Sequence, residues 1–328
     1  MNAVTTQELL SNAWFGIIGL MLVFYVVTDG FDLGVGILTL FRRDESDRDV
    51  MIQSIGHVWD ANETWLVALG GALFGAFPAA YSLLLTQLYV PVMLLIASLI
   101  MRGASIEFRH AAHRSKRVWD VVFGIGSLLT AICQGIVLGK VLTGLVPGID
   151  SAAFIAVTAI GVVSGYSLLG ATWLIKKTTG AIEDASRRYA TYAVFTTVIA
   201  AIVVSLGTVK ITTVGATRWD DIGVFHVLLA LAVLAAAAFV YILYAIRMRG
   251  EHSPFIASMV LFVVSFAGLA ISLFPYIVPG QLSIASAASD GTTLVFMLFG
   301  IGIVFPVMIG YNLFQYHLFR GKVVPVKH

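Results

Sequence analysis

The chain reads as long apolar runs separated by short charged clusters, and the runs have the length of helices that cross a bilayer. A hydrocarbon core of roughly 30 Å takes about 20 helical residues. Nine stretches meet that requirement, near 12–41, 51–77, 80–101, 119–146, 152–175, 190–209, 223–246, 255–277 and 291–319. A transmembrane barrel would show segments of about ten residues alternating apolar and polar side chains, whereas runs such as 92–100 and 232–240 do not alternate. The pattern predicts an all-α, polytopic membrane protein with nine transmembrane helices in a single integral membrane domain, residues 1–328. Within it, a first four-helix bundle is expected over 12–146, a second over 152–277, and a ninth, peripheral helix at 291–319.

Composition narrows the class further. Apolar residues make up 59% of the chain and charged residues 12%, against about 45–50% and about 25% in soluble domains, so a soluble globule is excluded. A net charge of +2 from 20 basic and 18 acidic residues leaves no basic face for nucleic acid. The one cysteine, Cys133, rules out intrachain disulfides and thiolate metal centres and reads as an inert packing residue. Cytoplasmic loops carry the excess of Lys and Arg. Alternate loops and the tail, from Arg42 and Arg48 through Arg109, Arg114 and Arg117 to Lys177, Arg187, Arg249 and Lys327, hold 17 of the 20 basic residues. That asymmetry places the N-terminus outside and the C-terminus in the cytoplasm, and one span more or fewer would destroy it. Glu8 stands where a signal peptide would be basic, so no cleavable leader is expected.

Charged groups inside the spans point to chemistry, because each costs about 2.5–3.5 kcal/mol at the bilayer centre on insertion scales. They concentrate in the first two spans, as Asp29 and Asp32 in one and His57, Asp60 and Glu63 in the other. Spacings of three put Asp29 with Asp32, and Asp60 with Glu63, on shared helix faces, and Thr64 lies one turn from Asp60. Four carboxyl groups are thereby expected at one depth, facing protein or internal water. Burial and mutual repulsion favour a carboxyl group that holds a proton, which is the chemistry of a proton wire. The bland alternative fixes each acid to a backbone amide or to an arginine of another subunit. Gly30, Gly34, Gly36, Gly70 and Gly71 read as sites of close helix approach, and Trp59 and Trp65 as core packing beside the acids. The 102–109 segment reads as the opening of a basic loop, with Arg102 at the headgroups and Glu107 paired to Arg102 or Arg109. The 274–276 segment, Phe-Pro-Tyr, reads as a helix break. Axial haem ligands at matching depths on facing spans are lacking, since His110, His113, His252, His317 and His328 fall in loops or at span ends and Met93, Met259, Met297 and Met308 are scattered.

Several strings, taken together and in order, resemble subunit II of the cytochrome bd family of bacterial quinol oxidases. They are Thr28-Asp29-Gly30-Phe31-Asp32-Leu33-Gly34-Val35-Gly36, Trp59-Asp60-Ala61-Asn62-Glu63-Thr64-Trp65-Leu66, Gly70-Gly71-Ala72-Leu73-Phe74, Arg102-Gly103 with Glu107-Phe108-Arg109, and Ser272-Leu273-Phe274-Pro275-Tyr276. The resemblance implies a bacterial inner-membrane respiratory complex that oxidises quinol and reduces dioxygen to water. Two haems b and one haem d would belong to subunit I, and this chain would ligate none. It further implies a proton pathway through Asp29, Asp32, Asp60 and Glu63, with Trp59, Asn62, Thr64, Arg102 and Glu107 in support. Membrane lipid, a structural quinone and a small single-helix subunit are further partners known in that family. Many members carry Pro where this chain has His57, so His57 inherits no role. The competing reading from another class is a proton-coupled secondary transporter, which would need charged, discontinuous helices in both halves; the second half here has no midplane charge.

Overall fold

The computed structural model describes residues 5–112 and 115–323; His113, Arg114, Lys327 and His328 lie outside the described residues, as do the side chains of His110 and Thr213. The chain runs through α1 (Thr6–Thr39), α2 (Glu45–Gln53), α3 (Trp59–Ala76), α4 (Pro78–Gln87), α5 (Tyr89–Ala111), α6 (Lys116–Leu142) and α7 (Ile149–Lys177). It continues through α8 (Gly180–Ile211), α9 (Thr213–Asp220), α10 (Ile222–Arg247), α11 (Ser253–Leu273), a hairpin of β1 (Tyr276–Val278) and β2 (Leu282–Ser283), α12 (Ile284–Ala287) and α13 (Gly291–Leu318). Among the described residues, eight helices are long and apolar enough to cross a membrane, or nine when α3 and α4, bent by 119° at their junction, count as one broken span. The protein is thus an all-α membrane protein.

Two span boundaries differ from the hydropathy reading. The expected helix over 51–77 is split: α2 ends at Gln53, residues 54–58 turn, and α3 begins at Trp59. The apolar Val50, Met51 and Ile52 that extend the run are buried residues of α2, whose first turns carry Glu45, Asp47, Arg48 and Asp49. The expected third span, 80–101, is likewise divided. Pro78 opens α4, and Pro91 sits in the first turn of α5, the place in a helix where a missing amide hydrogen costs nothing. The crossing helix therefore begins at Tyr89 and carries the 102–109 segment within its own body. As the Phe-Pro-Tyr string predicts, α11 stops at Leu273 before Pro275; the short hairpin that follows has no hydropathy signature.

α1 packs against α3, α6 and α7, and these contacts organise the interior. Its second half joins a core that includes Phe31, Leu33, Val35, Phe123, Leu169, Trp173 and Phe255. Its first half joins another, with Trp14, Met21 and Tyr25 against Trp65, Phe77 and Ile284. The closest crossing is between α1 and α7: a Cβ at Gly34 would run into the backbone of Tyr166 and Gly170, and one at Gly170 into the backbone of Gly34 and Val35. Small residues allow such approach in membranes, where packing replaces the hydrophobic effect as the cohesive term. Gly70 and Gly71, by contrast, meet nothing within 4 Å, so they serve no close approach within this chain.

Candidate functional site

Three helices build the buried charge cluster. α1 supplies Asp29 and Asp32 from one face, α3 supplies Asn62 and Glu63, and α5 supplies Arg102. The opposite face of α1 is pinned to α7, where Phe31 stacks on Trp173 at 4.2 Å, so the two aspartates are turned toward α3 and α5. Asp29, Asp32, Asn62 and Arg102 are all fully buried. The Arg102 guanidinium lies 2.6 Å from Asp29 Oδ1, 3.5 Å from Asp32 Oδ2 and 3.7 Å from Glu63 Oε2. Asn62 Nδ2 donates to Asp32 Oδ2 at 2.8 Å, and the Trp59 ring lies 5.8 Å from the guanidinium carbon, within cation–π range. Glu63 is the exit of this cluster toward the surface, since its side chain keeps 27% exposure.

One guanidinium faces three carboxyl groups in a region where an unpaired charge is expensive. Electrical neutrality at that depth therefore calls for protons shared among the acids, as in any set of carboxyls that occupy one site. A buried, partly paired carboxyl set with one member reaching the surface is an arrangement that can accept and release protons.

The sequence places its four acids together, and the structure separates one of them. Asp29, Asp32 and Glu63 meet at Arg102, but Asp60 lies in the first turn of α3 on its exposed side, where it faces the like charge of Glu107 as well as Arg102. Thr64 is also exposed and spends its hydroxyl on the Asp60 carbonyl at 2.9 Å. Arg102 does not sit at the headgroups: the shifted start of α5 carries it into the interior. Glu107, expected to pair with Arg102 or Arg109, is exposed, while Arg109 binds Asp120 and Asp49 instead. His57 is exposed and stacks on Phe319 at 4.3 Å. Trp65 is buried and stacks on Phe24 at 4.6 Å, a packing residue as its apolar setting implies.

Sequence reasoning missed three groups. Asp120 is buried on α6 and accepts from Arg48 Nε at 2.6 Å as well as from Arg109, which ties α2, α5 and α6 together. Its signal was an acid just inside an apolar span. Gln134 donates to the Tyr25 hydroxyl at 2.6 Å and accepts from Tyr166, one turn of α1 from Asp29. Tyr316, on α13, donates to Asn62 Oδ1; neither tyrosines nor amides stand out in an apolar run.

A haem held between helices would need inward-facing histidine or methionine at matching depths. His57, His226, His252 and His317 all lie exposed, and no cluster of three metal-ligating side chains occurs among the described residues.

Residues 10–319 match the family described as cytochrome bd terminal oxidase subunit II. The chain is 28% identical to the cytochrome bd ubiquinol oxidase subunit 2 of Bacillus subtilis strain 168, over 96% of this chain and 97% of that one. It is 34% identical to the cytochrome bd-I ubiquinol oxidase subunit 2 of Escherichia coli K12, over 58% of this chain and 55% of the relative. In fold it superimposes on a chain of the bd oxidase from Geobacillus thermodenitrificans with a TM-score of 0.79 and 18% identity, covering 94% of this chain and 98% of that one.

Proposed function

The chain belongs to the cytochrome bd terminal oxidase subunit II family, and from that premise we propose that it conducts protons to the oxygen-reducing site of its partner. Membership makes it part of a bd oxidase, a respiratory oxidoreductase complex of the membrane whose haems reside in the catalytic subunit, subunit I. In the proposed reaction, subunit I oxidises membrane quinol and reduces dioxygen to water at two haems b and one haem d. This chain ligates none of them. Its N-terminus lies outside and its C-terminus in the cytoplasm of a bacterial inner membrane, in keeping with the basic loops. A structural quinone, lipid and a small single-helix subunit complete the proposed assembly.

The observation that carries the reading is the buried cluster in which Arg102 is shared by Asp29, Asp32 and Glu63. Asp60 and Glu107, exposed near the start of α3 and the end of α5, collect protons there. Glu63, half-buried, links that surface to the interior, and Asp29 with Asp32 forms the buried store beside Arg102. Trp59 excludes water above the guanidinium, and Asn62 holds one oxygen of Asp32. A scaffold with fixed ion pairs would need as many cations as acids, and the cluster has fewer.

The test uses the purified oxidase with both subunits. Asp60→Asn is expected to lower quinol-driven oxygen uptake about tenfold or more, in line with the loss of a proton-transfer group, and Asp29→Asn to lower it less, with the haem absorption spectrum unchanged in both. Full turnover in these assembled variants would make the acids structural.

A further inference from the structure

The proton role proposed above leaves open what holds Asp32 in a productive orientation, and the answer lies on the last membrane helix. We propose that Tyr316 is a positioning residue for Asp32, acting through Asn62. The Tyr316 hydroxyl donates to Asn62 Oδ1, and Asn62 Nδ2 donates to Asp32 Oδ2 at 2.8 Å. An amide presents two ends of similar shape and opposite polarity. Turned over, Asn62 would aim its oxygen at the carboxylate, acceptor against acceptor. A hydroxyl that donates to Oδ1 selects the orientation that offers N–H to Asp32. With Oδ2 held by Asn62 and by Arg102 at 3.5 Å, Oδ1 of Asp32 is left buried without a hydrogen-bond partner. Oδ1 is thus the oxygen free to take and give a proton.

Tyr316 is itself held from two sides. Its ring packs on Phe31 and Trp173, with centroids 6.3 and 6.2 Å away. Beyond it, buried Lys177 on α7 caps the end of α13 by donating to the carbonyls of Phe319 and Gly321, and Val323 donates back to the Lys177 carbonyl at 2.8 Å. α13 is otherwise weakly embedded, with only Leu294 and Asn312 buried along its length. The hydrogen-bonded link from α13 to Asp32 thus runs through the Tyr316 hydroxyl.

Tyr316→Phe in the two-subunit oxidase keeps the ring and deletes that hydroxyl. The expected result is an unchanged haem spectrum, oxygen uptake lowered about three- to tenfold, the factor one neutral hydrogen bond commands, and a shifted infrared carboxyl band, assigned to Asp32 by its loss in Asp32→Asn. Added to Asn62→Leu, Tyr316→Phe should change neither readout further, because the link is already cut; a packing role would add its effect in full. An unshifted band with unaltered uptake, or full additivity, overturns the proposal. If Asp32→Asn keeps full uptake while Tyr316→Phe still shifts the band, the proton role falls and the positioning stands. If Asp32→Asn slows uptake while Tyr316→Phe changes nothing, the positioning alone falls.

Discussion

Arg102 is the residue on which the buried site depends electrostatically. Removing one partner of a buried ion pair leaves the other charge uncompensated, at a cost of about 3–5 kcal/mol. Arg102→Leu is therefore expected to lower the thermal midpoint of the purified oxidase sharply and to reduce the yield of assembled complex. Arg102→Lys keeps the charge but offers a point donor where the planar guanidinium reaches toward Asp29, Asp32 and Glu63 together, so its midpoint should fall between the two. A midpoint for Arg102→Leu equal to that of the parent would mean that the carboxyls are already neutral without it. The acids of this site are legible in the sequence because a carboxylate in an apolar run is conspicuous. Their counter-ion is not, since Arg102 sits one residue beyond the apparent end of a span. Asp120 is the second residue of its expected span, where a charge reads as a boundary, and Tyr316 and Gln134 are polar without being charged, so no insertion cost draws the eye to them.

At the scale of helices, the α1–α7 crossing decides whether Asp29 and Asp32 face α5 at all. Gly34 and Gly170 each sit against the other's backbone, and backbone cannot rotate away as a side chain does. Gly34→Ala should push the two helices apart at a cost of about 1–3 kcal/mol, the usual penalty for overpacking, seen as a lower thermal midpoint. Gly16→Ala, on the same helix with nothing within 4 Å, should leave the midpoint unchanged or raise it, because glycine inside a helix costs about 0.5–1 kcal/mol relative to alanine. Equal midpoints for the two variants would remove close approach as the reason for Gly34. Most of the crossing helices were readable from hydropathy alone, including the break before Pro275. The exceptions, α2 with α3 and α4 with α5, share one cause. Short helices lying beside a span contribute apolar residues that a one-dimensional pattern joins to it, and only contacts in three dimensions show that Val50, Met51 and Ile52 are buried on a separate element.

For the molecule as a whole, the distribution of exposed charge says which side meets a partner and which meets lipid. α10 presents Val233, Leu234 and Val240 outward, an apolar face suited to acyl chains. α3 presents Asp60, Thr64, Val67, Gly71 and Phe74 along one stripe at helical spacing, and Glu107 of α5 lies near its acidic end. An acid facing lipid costs about 2.5–3.5 kcal/mol at the bilayer centre and less near the interface. Protein covering the stripe inside the bilayer, with Asp60 left at the aqueous edge, removes that cost, so we place subunit I there. Spin labels test the placement, because molecular oxygen concentrates in the bilayer and relaxes a nitroxide that faces lipid. In the two-subunit oxidase, a label on Val233→Cys should relax quickly in the presence of oxygen, whereas one on Val67→Cys, at similar depth in its helix, should be shielded. The chain's only native thiol, Cys133, is buried, so the unsubstituted protein serves as the unlabelled control. Equal oxygen accessibility at the two positions would move subunit I to another face.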